Sequence, residues 1–331
     1  MTTAIASQRE RLTTLLLRYS TPIMFIVILI FFGVQNATFL SGENLFNIVK
    51  QASYVGIIAV GITFVLLTAG IDLSVGANMY LSSLAAAYLM RDFDFPVVLA
   101  LIGAVLTGMI FGAINALFIV RLKVSPFMVT LSTLIVGRGL GKVVTESVQL
   151  DYPQSMLDFG SSELLGIPMP IVFFAIVVAI AWVLLSQTTF GRQVYAVGND
   201  IEAARKAGIN TDRIILYVYT ICGATAALAG FILIAQIGRI DASFGEEYEF
   251  QVIAAAVLGG TSLFGGVGNA LGAVVGAVLI QMVRNGLIFA EVNLYLQPMV
   301  QASIIFLAVF FDGLRQSNLD KLKRRFIRTE T

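Results

Sequence analysis

Apolar runs long enough to reach across a bilayer alternate with short polar breaks along nearly the whole chain. They fall at about residues 22–35, 53–70, 75–90, 96–120, 126–145, 170–187, 214–236, 249–262, 267–285 and 298–312. A helical span needs roughly 20 residues to cross the hydrocarbon core. Several runs are shorter, so they extend into polar flanks or break in mid-membrane. The pattern predicts an all-α polytopic membrane protein with about ten transmembrane helices. One transmembrane domain is expected over 1–331, with a polar segment at 1–20, a polar island at 188–213 and a basic tail at 313–331.

Lys and Arg set the orientation, because cytoplasmic loops carry the excess of them. Ten spans with the N-terminus inside place 15 of the 21 Lys and Arg on the inner side. These are Arg9, Arg11, Arg18, Arg121, Lys123, Arg192, Arg205, Lys206 and Arg213, with Arg315, Lys321, Lys323, Arg324, Arg325 and Arg328 in the tail. The longest outer loop, about 146–170, has Glu146, Asp151, Asp158 and Glu163 but no Lys or Arg. Both termini and the polar island are thus expected in the cytoplasm. The tail reads as topology-setting, with anionic-lipid binding as the alternative. The run Pro22–Val34 resembles a secretory signal but has no small-x-small cleavage site, so an uncleaved first helix is expected.

Within the polar island, Asp200 is a good helix N-cap and Gly208 a good stop. Ile201–Ala207 therefore reads as a short rod of roughly 10 Å. Ala203, Ala204 and Ala207 recur at helical spacing and are expected to form one smooth face, with Arg205 and Lys206 beside it. Such a rod offers another protein something to hold.

The two halves echo each other. Ile71–Gly76 and Ile240–Gly245 both read I-D-x-S-x-G, and an odd number of spans separates them, so the second copy is expected inverted. Asn115 and Asn269 each precede Ala-Leu in a similar setting, at a different offset, so the repeat includes a length change. Inverted halves with broken helices are a common transporter plan, with the path at their interface. Asp72 has two readings: a path-lining group that bonds a polar substrate, or, with Ser74, a cap on the helix from Val75. Glu246, Glu247 and Glu249 read as a solvated outer rim. Gly268, Gly272 and Gly276, and Gly108 with Gly112, are G-x-x-x-G stripes that serve contacts within the chain or a seam between subunits.

Composition agrees with the pattern: 58% hydrophobic and 12% charged residues, with mean hydropathy +0.89, where soluble domains carry about 25% charged. A net charge of +1 leaves no electrostatic case for nucleic acid. The chain has no His, which removes imidazole ligands and the commonest proton relay. Cys222 stands alone, which excludes an intrachain disulfide, and it reads as packing. Gly137–Val143 is only a faint phosphate loop: it lacks Gly at 136 and Ser or Thr at 143. No catalytic residues, metal ligands or cofactor site are expected in this chain, so any ATPase must be another chain.

Three stretches carry a family resemblance: TAG-IDLSVG (68–76), FGRQVYAVGND-IEAARKAGI (190–209) and VLGGTSLFGGVG (257–268). From roughly residue 40 to 312 the chain resembles the permease subunits of bacterial ABC importers for simple sugars, of the ribose, xylose, arabinose and galactoside type. The resemblance implies a ten-helix permease of the inner membrane working as a pair, expected as a homodimer. It also implies a tandem cytoplasmic ATPase and a periplasmic sugar-binding protein. It places Gly198, Asp200, Ala203, Ala204, Arg205 and Gly208 in the segment that contacts the ATPase. Relatives often carry further Gly or Asn where this chain has Asn199-Asp200. Candidate path residues are Asp72, Ser74, Asn78, Asn115 and Asn269. With Ser82, Ser132, Thr133 and Gln236 they form a mostly neutral polar set, which suits an uncharged, hydroxyl-rich solute. Two rivals remain: an ion-coupled secondary transporter, for which Asp72 is the sole candidate ion ligand, and a channel, which has no use for the exposed rod.

Overall fold

The computed structural model describes residues 20–303 together with Phe306 and Phe310. The expected N-terminal segment up to residue 19, the basic tail and seven residues of the tenth run lie outside the described residues. Helices dominate: α1 (Ser20–Gln35), α2 (Gly42–Leu67), α3 (Val75–Arg91), α4 (Val97–Leu122), α5 (Pro126–Thr145), α6 (Gln154–Ser161), α7 (Met169–Gln187), α8 (Thr189–Asn199), α9 (Ile201–Lys206), α10 (Thr211–Ile237), α11 (Tyr248–Leu258) and α12 (Ala270–Phe289). A further helical segment occupies 297–303. Among the described residues, α2, α4, α5, α7, α10 and α12 are long and apolar enough to cross a membrane.

The expected span at 249–262 is a correction. The helix stops at Leu258, and Gly260, at φ +90°, turns the chain out of it. The amides of Gly260 and Thr261 fold back onto the Val257 and Ala256 carbonyls at 2.8 and 3.0 Å. Eleven residues make α11, about 16 Å of a core about 30 Å thick. Hydropathy continues through Leu263 and Phe264, but two glycines in a row end the helix.

The chain divides into two compact units. The first comprises residues 1–48 and 279–331. Its described part packs Phe32 on Phe39 and Phe39 on Phe289, with ring centroids 5.5 and 6.0 Å apart. Gly286 lies directly beneath the Phe32 ring.

The second unit, residues 49–278, holds every candidate site residue. Of the most apolar stretch of each helix, 83% is buried in α2 and 72% in α10, against 22% in α4, α5 and α7. The first two are therefore the axis. The other three turn rows such as Ile102, Leu106 and Ile110, or Ile176 and Ile180, outward, as a lipid-facing surface requires. The helices α4 and α10 meet backbone to backbone: a Cβ on Gly108 would strike the Gly223 carbonyl, one on Gly223 the Gly108 carbonyl, and one on Gly112 the Tyr219 carbonyl. The same holds between α11 and α12 at Gly259, Gly272 and Gly276. Gly272, Gly276 and the Gly108/Gly112 pair thus serve contacts within the chain. At one end of α10, β1 (Leu150–Asp151) pairs antiparallel with β4 (Arg239–Ile240), Leu150 opposite Ile240. A second small ladder pairs β2 (Glu163–Leu164) with β3 (Ile167–Pro168).

Gly108→Leu or Gly112→Val is expected to lower stability by about 1–3 kcal/mol through overpacking, or more if the helices must separate. Gly139→Leu, on α5 with open space at its Cβ position, is expected to be near neutral. Thermal unfolding of the purified variants reads the difference; equal melting of all three would refute the backbone-crossing account.

Candidate functional site

Chemistry concentrates where α2 ends and α3 begins. The chain leaves α2 through Thr68, Ala69 (φ +58°) and Gly70, and Asp72 then organises the next turn. Its Oδ1 accepts from the Ser74 amide at 2.9 Å and the Ser74 hydroxyl at 2.6 Å. Asn115 of α4 donates through Nδ2 to Ser74 Oγ at 2.7 Å. The Ile71 carbonyl accepts from Tyr219 Oη at 3.2 Å and Thr130 Oγ1 at 3.3 Å. Cys222 lies against Asp72, so this cysteine packs on a polar group rather than in a purely apolar wall. One turn into α3, Asn78 Nδ2 reaches the Gly108 and Gly223 carbonyls at 3.2 and 3.3 Å, and its Oδ1 accepts from Ser82 Oγ at 2.8 Å. Asp72, Ser74 and Asn115 thus form one buried hydrogen-bonded cluster, and Asn78 with Ser82 a second one turn along α3, together reaching α4 and α10. A buried polar group with its bonds made is held in place; one with a bond missing is costly and conspicuous. Asn115 Oδ1 has no partner among the described residues.

Asn115 also lines a groove of about 550 Å³ between α4 and α5, walled by Phe111, Phe118, Met128 and Leu140, with Ser132 and Thr133 adding hydroxyls. Among the described residues no charged side chain lines it. Asn269 is not brought to this place. It is exposed, and its Oδ1 accepts from the Gly272 amide at 2.7 Å, capping α12.

The second I-D-x-S-x-G builds the same turn: Asp241 Oδ1 accepts from the Ser243 amide at 2.8 Å and its hydroxyl at 2.5 Å. The shared sequence makes a shared local structure, but Asp241 is exposed where Asp72 is buried. The Ser243 donors hold the Asp241 carboxyl below its ordinary range. The two motifs touch, because Gly76 and Gly245 pack backbone to backbone. Glu246 and Glu247 are exposed as a rim requires, but Glu249 is buried, a correction to the expected rim. It is the second residue of α11, and the helix turns its side chain inward.

The polar island is two helices, not one. Thr188 caps α8, accepting from the Gly191 amide at 3.1 Å, and Gly191, Val194 and Val197 form its buried face. That i, i+3, i+6 spacing was the available signal for α8. Asp200 caps α9 as expected, accepting from the Glu202 and Ala203 amides at 2.9 and 3.0 Å, and Gly208 leaves it at φ +85°. The alanine face is corrected: Ala204 turns inward and is buried, while Ala203 and Ala207 stay exposed. Alanines one position apart lie about 100° apart around a helix. Arg205 is exposed and pairs with Glu202 at 2.9 Å. Gly198 belongs to a joint inside the chain. A Cβ there would run into the Leu67 carbonyl, the Gly266 amide donates to that carbonyl at 3.0 Å, and Tyr195 Oη donates to the Gly268 carbonyl at 2.7 Å. The end of α2, the end of α8 and the loop between α11 and α12 thereby meet at one point.

Broken helices, a buried polar network beside an uncharged groove, and apolar outer helices define a membrane-spanning transport protein. The family described as "Branched-chain amino acid transport system / permease component" matches residues 44–309, and the chain belongs to that family. It is 36% identical over 323 residues, 96% of this chain and 100% of the relative, to the ribose import permease protein RbsC of Escherichia coli (strain K12). It is 39% identical over 294 residues, 87% of this chain and 90% of the relative, to the ribose import permease protein RbsC of Bacillus subtilis (strain 168). With the galactose/methyl galactoside import permease protein MglC of E. coli (strain K12) it shares 33% over 320 residues, 90% of this chain and 93% of that one. No solved structure matches the chain.

Asp72→Ala is expected to cost about 1–3 kcal/mol, because Ser74 loses the acceptor for two buried donors, and Asp72→Asn less, because an amide oxygen can still accept. The Asp241 turn behaves differently. A carboxyl held below its ordinary value contributes stability above about pH 4 and loses it as pH falls further. Melting curves from pH 7 to pH 3 should show that acid-sensitive contribution in the wild type and not in Asp241→Asn. An unchanged pH profile in Asp241→Asn would refute it.

Proposed function

We propose that this chain is the membrane-spanning subunit of an ATP-driven importer that moves a monosaccharide or related polyol inward across a bacterial inner membrane. The observation that carries the reading is the groove between α4 and α5. Its lining includes Asn115, whose buried Oδ1 has no partner among the described residues, together with Ser132 and Thr133, and no charged side chain. Neutral acceptors and hydroxyls suit a hydroxylated solute. A zwitterionic amino acid, which the family description names, calls for fixed counter-charges that this groove lacks. The relatives named for ribose and galactoside import support the same cargo. Asp72 favours no ion-coupled mechanism, since Ser74 occupies it twice.

In this reading the groove is half of a path. Its rim residues Ile114, Phe118, Met128 and Val136 are exposed, and a second copy of the chain closes it. Energy comes from a tandem ATPase on a separate chain, and cargo from a periplasmic binding protein. With both termini in the cytoplasm, α8 and α9 face the ATPase. Ala203 and Ala207 give the rod its smooth exposed side, Arg205 and Lys206 flank it, and Asp200 and Gly208 fix its ends. Gly198 joins it to α2.

Ala203→Trp adds bulk on the exposed side without entering the fold. The variant is expected to insert and melt as wild type, to lose co-purification with the ATPase, and to lower uptake at least about tenfold, the effect of about 1.4 kcal/mol of lost docking. Normal co-purification and uptake would defeat the docking role. For cargo, labelled ribose, allose, galactose and leucine are offered to cells with and without the gene, partners present. Uptake of leucine alone would defeat the sugar reading.

A further inference from the structure

Beside the Gly76–Gly245 contact lie two charged side chains that nothing above employs. Arg138 projects from α5 and Glu249 from the first turn of α11. Arg138 Nη1 donates to the Phe244 carbonyl, and its guanidinium lies 5.7 Å above the Tyr80 ring centre. Nη2 is left buried without a partner. Glu249 is 6% exposed, and its Oε2 is likewise buried without a partner. Both atoms face the same point: a Cβ placed on Gly76 would meet Glu249 Oε2 and Arg138 Nη2 together. Yet they form no ion pair; among the described residues the ion pairs are Arg91–Asp92 and Arg205–Glu202.

Opposite charges that approach one point, stop short of each other and keep a free donor and a free acceptor call for a group that both accepts and donates. A hydroxyl is that group. It accepts from Nη2 and donates to Oε2, satisfying both with one oxygen. The pair carries no net charge, so it suits a neutral solute. An anion meets Glu249 and a cation meets Arg138. Gly76 and Gly245 put no side chain at the point but close on it backbone to backbone, so a hydroxyl reaches the two free atoms when the contact between these glycines opens.

We propose that Arg138 and Glu249 form a binding subsite for one hydroxyl of an uncharged polyhydroxylated solute, a reading that rests on the inward transport of such a solute proposed above. The rival is a latch in which the two charges close directly on each other as the helices move.

The test uses the assembled importer in proteoliposomes, as wild type, Glu249→Gln and Arg138→Gln. Saturating D-ribose, D-allose and D-galactose are compared with their monodeoxy derivatives. The binding protein is common to all measurements, so the ratio of parent to deoxy rate, compared between variants, reports the permease. For a charge-assisted hydrogen bond the wild type should prefer the parent over the derivative lacking one particular hydroxyl by about tenfold, and either variant should bring that ratio near one. Equal loss for every sugar, as a latch predicts, or no change in any ratio, overturns the subsite. A second readout is independent of cargo delivery: the melting temperature of the purified permease in D-ribose or D-ribitol. General stabilisation by excluded polyols raises wild type and variants equally, whereas site binding raises the wild type more. A larger shift in the wild type without sugar uptake keeps the subsite and removes the sugar-importer reading. Sugar uptake with equal shifts and unchanged ratios removes the subsite and keeps the importer.

Discussion

The close approach of α4 and α10 at Gly108 and Gly223 is the contact on which the rest of the second unit depends. Two helices touch main chain to main chain where small residues let the backbones approach, and Gly112 extends the contact by one turn to the Tyr219 carbonyl. That proximity lets a single side chain, Asn78, bond carbonyls on both helices at once. With α3 tied to the crossing, its first turn and the break before it come to rest beside Tyr219, Cys222 and Asn115. The buried network at Asp72 is therefore a product of helix packing as much as of its own hydrogen bonds. Lipid tails are as apolar as the helix faces they would replace, so packing and hydrogen bonding, not expulsion of water, hold such a crossing together.

Much of this was legible in the chain, because the membrane imposes simple rules. The helix at 126–145 was readable to the residue: Pro126 opens it, and Glu146 leaves it in the left-handed region. The Asp200 cap and the repeated D-x-S turn were readable too, because short-range bonds depend on local sequence alone. What escaped was set at long range or by helix phase. Hydropathy passes through Gly259 and Gly260 without a mark, so it does not show the end of α11. Glu249 follows two exposed glutamates, and only the helix direction shows that it alone points inward. Spacing alone groups Ala204 with Ala203 and Ala207, and only packing separates them. Tyr219 and Cys222 stand about 150 positions from the loop they pack against, and no local pattern announces such a pairing.

The three stretches that carry the family resemblance are not scattered in space. Thr68 to Gly76, the end of α8, and the loop between α11 and α12 share the contacts around Leu67, Gly198 and Gly266. The first of these stretches runs on directly into Asp72 and Ser74. The polar island and the buried network are therefore joined through one short length of chain, which runs from the Leu67 carbonyl to Ser74.

That joint has a mechanical consequence. Where side chains form a contact, a displacement can be taken up by a change of rotamer, and the push fades with distance. At Gly198 no side chain intervenes; peptide groups bear on peptide groups, and planar amides do not yield. A lever hinged in this way has almost no backlash. A tilt of α8 would bear directly on the Leu67 carbonyl, where the segment that carries Asp72 begins.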